Sequence, residues 1–373
     1  MIVPTLLGAA ALLGWLAIAL RPGRFWDLRP VLEERGLLPE PAAWPSVSVL
    51  VPARNERASL PLTLPALLAQ DYPGPWRVVL VDDRSEDDTA PLARGLSAGR
   101  AMVVEGRPLP DGWAGKIWAL EQAAAVAGRP DYLWLTDADI AHHSSVLRRL
   151  VAESEAAGLA LNSVMARLHT ASPAERLLVP PFLFFFNLLY PMRLVNGAGA
   201  TAAAAGGCVL IRRDCLRRAG GFAAIRGEVI DDLSLARAVK RLGEPIRLSV
   251  SRAEVVSVRR YDSLGAFWRT VRRTAFAELR HSWTRLVATV LGLVLAFAVP
   301  PAVLVLGAAA HQAAPAVVGA AAWAVMAAIF VPTVRFFGLS PAWALTLPLA
   351  GLLYGAMTID SALRHATGSR RVW

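Results

Sequence analysis

Residues 1–20, MIVPTLLGAAALLGWLAIAL, carry no charged side chain, and no other feature narrows the possible folds of this chain as much. As a helix, such a segment rises about 30 Å, the thickness of the hydrocarbon core of a bilayer. A secretory signal would place its basic residues first, whereas Arg21, Arg24 and Arg29 follow the apolar run here. By the positive-inside rule, what comes next is expected on the cytoplasmic side. The last third turns apolar again near Leu286–Ala309, Ala314–Val334 and Pro341–Ala362, which predicts three further spans. His311 and Gln312 lie in a loop without Lys or Arg, as an external loop should. Three C-terminal spans put the tail of residues 364–373 outside, yet it holds Arg364, Arg370 and Arg371. Either the last span is re-entrant or the rule is broken there. The expectation is a multi-pass protein of the inner cell membrane with its polar part in the cytoplasm.

Composition agrees. Hydrophobic residues make up 55% of the chain and charged ones 18%, an apolar excess that calls for lipid or an unusually large core. A net charge of +10 suits an anionic membrane surface, a phosphate-bearing substrate or nucleic acid. Nucleic acid is set aside, because the arginines are scattered near apolar segments rather than gathered in a run interleaved with aromatics. Cys208 and Cys215 form no disulfide framework and no metal quartet, and read as small buried residues.

The organisation expected is a span at residues 1–22, an α/β domain at 45–258, an amphipathic interfacial segment at 259–285, spans over 286–363 and the basic tail 364–373. Within the domain, VSVLVPA (Val47–Ala53), WRVVLVDD (Trp76–Asp83), AMVVEG (Ala101–Gly106) and DYLWLTDADI (Asp131–Ile140) read as strands. Helical stretches separate them, including the Ala-rich GKIWALEQAAAVAG from Gly115 to Gly128. Such alternation implies βαβ units and a mostly parallel, Rossmann-like sheet. In such sheets ligands bind beyond the carboxyl ends of the strands. LLVPPFLFFFNLLYP (Leu177–Pro191) is apolar but too short to span, so it is either an interfacial, acceptor-lining segment or a core helix of the domain.

Acidic residues sit where ligands should bind. If 131–140 stays extended, Asp137 and Asp139 at i, i+2 face one way, and two converging carboxylates suit Mg²⁺ or Mn²⁺ with positions left open for a diphosphate. Asp in a turn or helix cap is the competing reading. Asp82 and Asp83 end the second strand, where a carboxylate can accept hydrogen bonds from a base or ribose, while Asp87 or Asp88 is a cap. Lys116 follows Gly115 at a helix start, a fitting place for phosphate oxygens. Asp231 and Asp232 open another helix, and since neighbours point differently, one of them is expected to face the pocket as a general base. Arg269, Arg272 and Arg273 share a helical face and either clamp a leaving diphosphate or flank the next span. His142 and His143 are expected to cap or to be solvated rather than to bind metal.

In order along residues 45–285, these segments resemble the inverting family 2 glycosyltransferases. VPARNE, with Pro52, Arg54 and Glu56, looks like their opening strand and donor-binding loop. VDDRSEDDT looks like their nucleotide-binding strand end, and TDAD like their metal-binding D-x-D. VIDD looks like their base motif, with Asp232 in the place of the catalytic Asp. The resemblance implies a GT-A fold, a nucleotide-sugar donor with UDP-sugars favoured, Asp139 on the metal with Asp137 on metal or ribose, and inversion. Arg273 stands where the membrane members of that family carry Trp, which argues against a processive synthase. LAQDYPGPWRVVLVDDRS, GWAGKIWAL, PPFLFFFNLLYP, TAAAAGGC and AAIRGEVIDD look like the hopene-associated type (HpnB), which implies a hopanoid or other isoprenoid acceptor in the bilayer. Two other classes compete. A nucleotidyltransferase would need a glycine-rich loop after the first strand, and a membrane carrier or scaffold would need polar residues in its spans.

Overall fold

A computed structural model describes residues 2–36 and 39–367. The expected tail lies for the most part outside these residues, Arg370 and Arg371 included. The chain forms two units, and neither is a continuous stretch.

The first unit is helical and comprises, of the described residues, 2–28, 170–191 and 261–367. Four segments are long and apolar enough to cross a membrane: Ile2–Ala19, Trp283–Ala309, Ala313–Phe336 and Pro341–Ala366. Their large side chains face outward as well as inward, with Leu6, Leu13, Leu291, Val305, Val317 and Leu363 all more than half exposed. A surface of that kind is matched by lipid rather than water. Inside, Trp15, Phe184, Phe297 and Phe330 form the core, and Trp15 Nε1 donates to the Ala296 carbonyl at 3.0 Å. Close helix approach depends on missing side chains. A Cβ on Gly319 would come within 2.5 Å of the Leu304 nitrogen, and one on Gly307 within 2.5 Å of the Ala316 nitrogen.

Thr170–Pro191 corrects the expected continuous domain at 45–258. Helix Pro173–Leu189 packs against Ala313–Phe336 and Leu347–Ala366 of the helical unit. Its start is fixed by a capping box: Ser172 accepts from the Glu175 nitrogen, and Glu175 accepts from the Ser172 nitrogen. Glu175 also accepts from Tyr261 N at 2.8 Å, so this buried carboxylate joins two strands of chain. The segment expected at 259–285 is likewise divided. Arg259 and Arg260 belong to the second unit, and helix Leu264–Glu278 buries Phe267, Val271 and Phe276 in the first.

The second unit, Arg29–His169 with Met192–Arg260, is α/β. Its strands are β1 Val47–Ala53, β2 Trp76–Asp82, β3 Ala101–Glu105, β4 Tyr132–Leu135, β5 Ile140–His142, β6 Leu161–Met165, β7 Val209–Arg212, β8 Ile246–Val250 and β9 Val255–Ser257. Seven of them form one sheet in the order β3-β2-β1-β4-β7-β6-β8, and β5 pairs with β9. Only β7 runs antiparallel to its neighbours in the large sheet. Every residue of β1 is buried, as a central strand covered on both faces requires. The strand order reverses direction at β1, between β2 and β4, which opens a crevice beyond their carboxyl ends.

The strand expected to run through Ile140 stops at Leu135. Ile140 N bonds back to the Asp137 carbonyl at 3.2 Å, so Asp137 to Ile140 is a turn. The i, i+2 argument for a shared face therefore does not apply. What brings the two carboxylates to the crevice is the turn itself.

Candidate active site

A pocket at the crevice is lined by Pro52 from the end of β1, Thr136 and Asp137 after β4, Gly206 before β7, Lys116 from helix Gly115–Val126, and Asp231 and Asp232 from helix Asp231–Arg241. Leu120, Leu135, Val209 and Leu235 close its floor. The elements come from five separate parts of the chain and meet only through the sheet.

Lys116 is the hub. Its Nζ lies 2.7 Å from Asp137 and 3.4 Å from Asp231, with Asp232 adding its field. Burial works against the ammonium, but these carboxylates outweigh it and hold the group charged well above its ordinary range. Burial raises Asp137, with Asp139 and Asp231 adding to the effect and Lys116 opposing it. Asp232 is pushed up to about 7 by burial and by the neighbouring Asp231 charge, against the pull of Lys116. Its Oδ2 accepts from Gly206 N at 2.7 Å and its Oδ1 from Leu233 N at 2.8 Å. Both Asp231 and Asp232 line the pocket, contrary to the expectation that only one would. The first turn of a helix can splay two adjacent side chains around one cavity, here toward Lys116 and toward Gly206.

Gly206 is required by this packing. A Cβ there would stand 2.9 Å from Lys116 Nζ and 3.3 Å from Asp232 Oδ2. Gly206 is not among the residues expected from the sequence; a glycine pair directly before a buried strand is the signal it leaves there.

Asp139 sits apart from this hub. Its Oδ2 accepts from Arg259 Nε at 2.7 Å, and Arg259 Nη2 donates to Glu56 Oε1 at 2.6 Å. Ser59 donates to the other Glu56 oxygen at 2.8 Å. Burial raises Glu56, with Arg259 opposing and Asp139 adding to the rise. Arg259 was not among the residues predicted. It follows β9, whose pairing with β5 sets it beside the Asp137–Ile140 turn, and Val258 N bonds to the Asp139 carbonyl at 2.8 Å.

The donor-side loops are tied to one another. Asn55, in the left-handed region at φ 55, donates its nitrogen to Ser85 Oγ and accepts from Glu86 N at 2.8 Å. Asp82 is used inside this loop, accepting from the Ser85 hydroxyl, while Asp83 is buried with Arg54 Nη1 at 3.7 Å. Gly106 permits the approach of β3, since a Cβ would lie 2.8 Å from the Asp82 carbonyl. Asp87 accepts from Thr89 N, while Asp88 stands at the N-cap position without a side-chain capping bond and pairs with Arg57.

His142 departs from its expected solvated role. It is buried under Trp134, and its Nε2 lies 2.7 Å from Thr136 Oγ1; burial lowers it to about 3, so it is neutral. His143 is exposed and contacts Ser145, as a capping residue does. Cys208 and Cys215 are both buried and unlinked. Arg269, Arg272 and Arg273 lie in the helical unit, where Arg272 pairs with Asp360 at 3.2 Å and Trp268 Nε1 donates to the same carboxylate at 2.7 Å. Arg272 thus has a structural partner within its own unit.

The residues present fit a divalent cation of the Mg²⁺ or Mn²⁺ kind. Asp137, Asp139, Asp231, Asp232 and Glu56 crowd around only two paired cations, Lys116 and Arg259, an excess of hard oxygen charge. Among the described residues no three His, Cys, Asp or Glu side chains converge to hold a metal unaided. Asp137 and Asp139 would supply two positions and leave the rest to water and diphosphate oxygens.

Comparison with known proteins adds to this picture. Residues 11–367 match the signature of glycosyl transferase family 21. An uncharacterized glycosyltransferase of Mycobacterium tuberculosis (strain H37Rv) and another of Mycobacterium bovis are each 34% identical over 108 residues, 29% of this chain and 43% of theirs. The chain thus matches less than half the length of these relatives. The mannosyltransferase PcManGT from Pyrobaculum calidifontis, solved with GDP-Man and Mn²⁺, superposes with a TM-score of 0.60 at 20% identity over 98% of this chain and 100% of its own. That likeness is one of fold, and it establishes the GT-A-like arrangement with apolar helices at both ends.

Proposed function

The chain belongs to glycosyl transferase family 21, and from that premise we propose that it moves one sugar from a nucleoside-diphosphate donor to the hydroxyl of a lipid acceptor. The observation that carries the reading is the pocket in which Lys116, Asp137 and Asp232 meet at the carboxyl ends of β1 and β4. A donor diphosphate needs cationic partners, which Lys116 and Arg259 provide from the α/β unit itself. Asp137 and Asp139 would hold Mg²⁺ or Mn²⁺, which when bound neutralises charge on the leaving diphosphate. Asp83, buried at the end of β2 with Arg54 beside it, is suited to the nucleoside. Pro52 and Glu56 flank the same mouth.

The acceptor hydroxyl must lose its proton as it attacks the anomeric carbon. Asp232 is the base: a pKa near 7 lets it be ionised at neutral pH and still take a proton readily. Gly206 N and Leu233 N hold the carboxylate in place. With one displacement and no covalent intermediate, configuration inverts. The four apolar helices support a lipid acceptor, and a hopanoid or other isoprenoid alcohol is the acceptor class we favour. UDP-sugars are the favoured donors. The arginines after the first span support a cytoplasmic catalytic unit at the inner membrane. Helices of this composition do not by themselves mark a carrier, and the acid set of the pocket would then have no use.

The test is direct. The full chain in detergent or nanodiscs is given UDP- and GDP-sugars, Mn²⁺ and a panel of isoprenoid alcohols, and the product is read by mass spectrometry and by the NMR coupling at the anomeric proton. Transfer with inversion supports the reading. Nucleotidyl transfer, or a product that keeps the donor configuration, overturns it.

A further inference from the structure

Arg259 occupies an unusual position. It holds Asp139 at 2.7 Å with Nε and Glu56 at 2.6 Å with Nη2, so one guanidinium spans two carboxylates from the loops after β4 and β1. Both acids are largely shielded, with side-chain exposures of 14% for Asp139 and 13% for Glu56, while the Arg259 side chain is 48% exposed. The acids are therefore fixed and the arginine is the part with room to move. The fixed backbone around it points the same way. Arg259 N bonds to Ser257 Oγ, and Val258 N bonds to the Asp139 carbonyl. Main chain thus stays anchored while the long side chain can redirect.

A guanidinium and a divalent cation cannot both sit on the same carboxylate face at full strength. Each neutralises the charge the other needs, and each demands the oxygen lone pairs. Resting on the glycosyltransferase reading above, we propose that Arg259 is an exchangeable counter-ion: it seals Asp139 and Glu56 in the donor-free chain, and gives up Asp139 when the cation and nucleotide-sugar arrive, turning its guanidinium to the donor diphosphate. Lys116 differs in kind. It faces Asp137, Asp231 and Asp232 together, so loss of one partner leaves it held by the others. Arg259 instead divides its guanidinium between Asp139 and Glu56, so a cation on Asp139 takes a carboxylate directly from it. The arrangement couples the two ligands. Bare cation must displace Arg259 from Asp139, whereas cation arriving with a diphosphate offers the guanidinium a new anion, so donor and cation bind cooperatively.

The experiment measures Mn²⁺ binding to the full-length, detergent-solubilised chain by electron paramagnetic resonance of free Mn²⁺, with and without the nucleoside diphosphate. Arg259→Gln is expected to bind Mn²⁺ without nucleotide about tenfold or more tightly than the unaltered chain, the scale of one charged hydrogen bond no longer in competition. The same variant should lose most of the enhancement of Mn²⁺ affinity that the nucleotide gives the unaltered chain. Arg259→Lys, which keeps a charge but can serve only one carboxylate well, should fall between the two and guards against a folding defect in the glutamine variant. Equal or weaker nucleotide-free Mn²⁺ binding in both variants, while Asp139→Asn abolishes binding in the unaltered background, overturns the role of Arg259 and leaves the metal site standing. Mn²⁺ binding that is insensitive to Asp139→Asn, or none with nucleotide present, overturns the metal site and this proposal with it.

Discussion

Two charged clusters within the α/β unit are balanced in opposite ways. At one, Glu153 is buried to 3% exposure and meets two guanidinium groups, Arg35 and Arg247, while Asn162 Nδ2 donates to its second oxygen at 2.9 Å. One acid faces two bases, and both carboxylate oxygens have protein partners. At the other, Asp137, Asp231 and Asp232 face Lys116 at the pocket, and Asp139 and Glu56 share Arg259 beside it. In the first cluster the acid is answered by protein groups alone. Among the described residues the second pairs five acids with two cations, a balance that suits added cations and their phosphates. Both are built from carboxylates and cationic side chains; the ratio of the two sets them apart.

The sharpest way to break this comparison is at Asp232. General-base loss costs about 10²–10⁴-fold in rate, so Asp232→Asn should lose that much kcat while keeping its fold and its donor affinity. The asparagine oxygen can still accept from Gly206 N, so a collapse in thermal stability, or near-normal turnover, would contradict the assignment. Glu153 should behave in the reverse manner. Glu153→Ala leaves two half-buried guanidinium groups facing each other and should cost about 2–3 kcal/mol of stability in a denaturant titration, below the range for a fully buried pair. Any activity surviving at low temperature should show an unchanged donor KM.

Smaller effects refine the picture. Asp83→Ala should raise the donor KM by about tenfold, on the scale of a charged hydrogen bond, and more than Asp232→Asn does. Equal KM changes would mean that Asp83 does not touch the nucleoside. Finally, pH should act through Asp232. Its carboxyl is raised from 3.8 to about 7 in the folded chain, so the protonated form is favoured by folding. That contribution to stability is fully present below about 4 and is lost as pH rises through about 7. Activity runs the other way, because only the ionised base accepts a proton: kcat/KM should climb with pH below about 7 and level off above it. A profile flat from pH 5 to 8 would remove Asp232 from that role, and Asp232→Asn should abolish the limb.

Much of the molecule was legible from one-dimensional pattern. Uncharged runs of bilayer length gave the four apolar segments at nearly their observed bounds, because hydropathy over about twenty residues depends on no distant partner. Alternating buried strands and helices gave the α/β sheet for the same reason, and an acid after β4 and one at a helix start marked Asp137 and Asp232, both of which line the pocket. The assignment of Leu177–Pro191 was open because an apolar helix reads alike whichever core it enters; only its packing against Ala313–Phe336 decided. Asp137 and Asp139 were found for a reason that did not hold, since a turn at Ala138 and Asp139 replaced the extended strand and a hydrogen bond across four residues outweighed local propensity.

What the sequence by itself determined was which segments are apolar, where strands end, and which acids stand at those ends, all of them local properties. Tertiary structure alone decided who meets whom. Arg259 lies 120 residues from Asp139 and 203 from Glu56 along the chain, and Gly206 26 from Asp232. Nothing in the periodicity of a segment records such partners. They are set by the β5–β9 pairing and by the order of strands in the sheet, where the stability of the whole core fixes geometries that no single segment could hold.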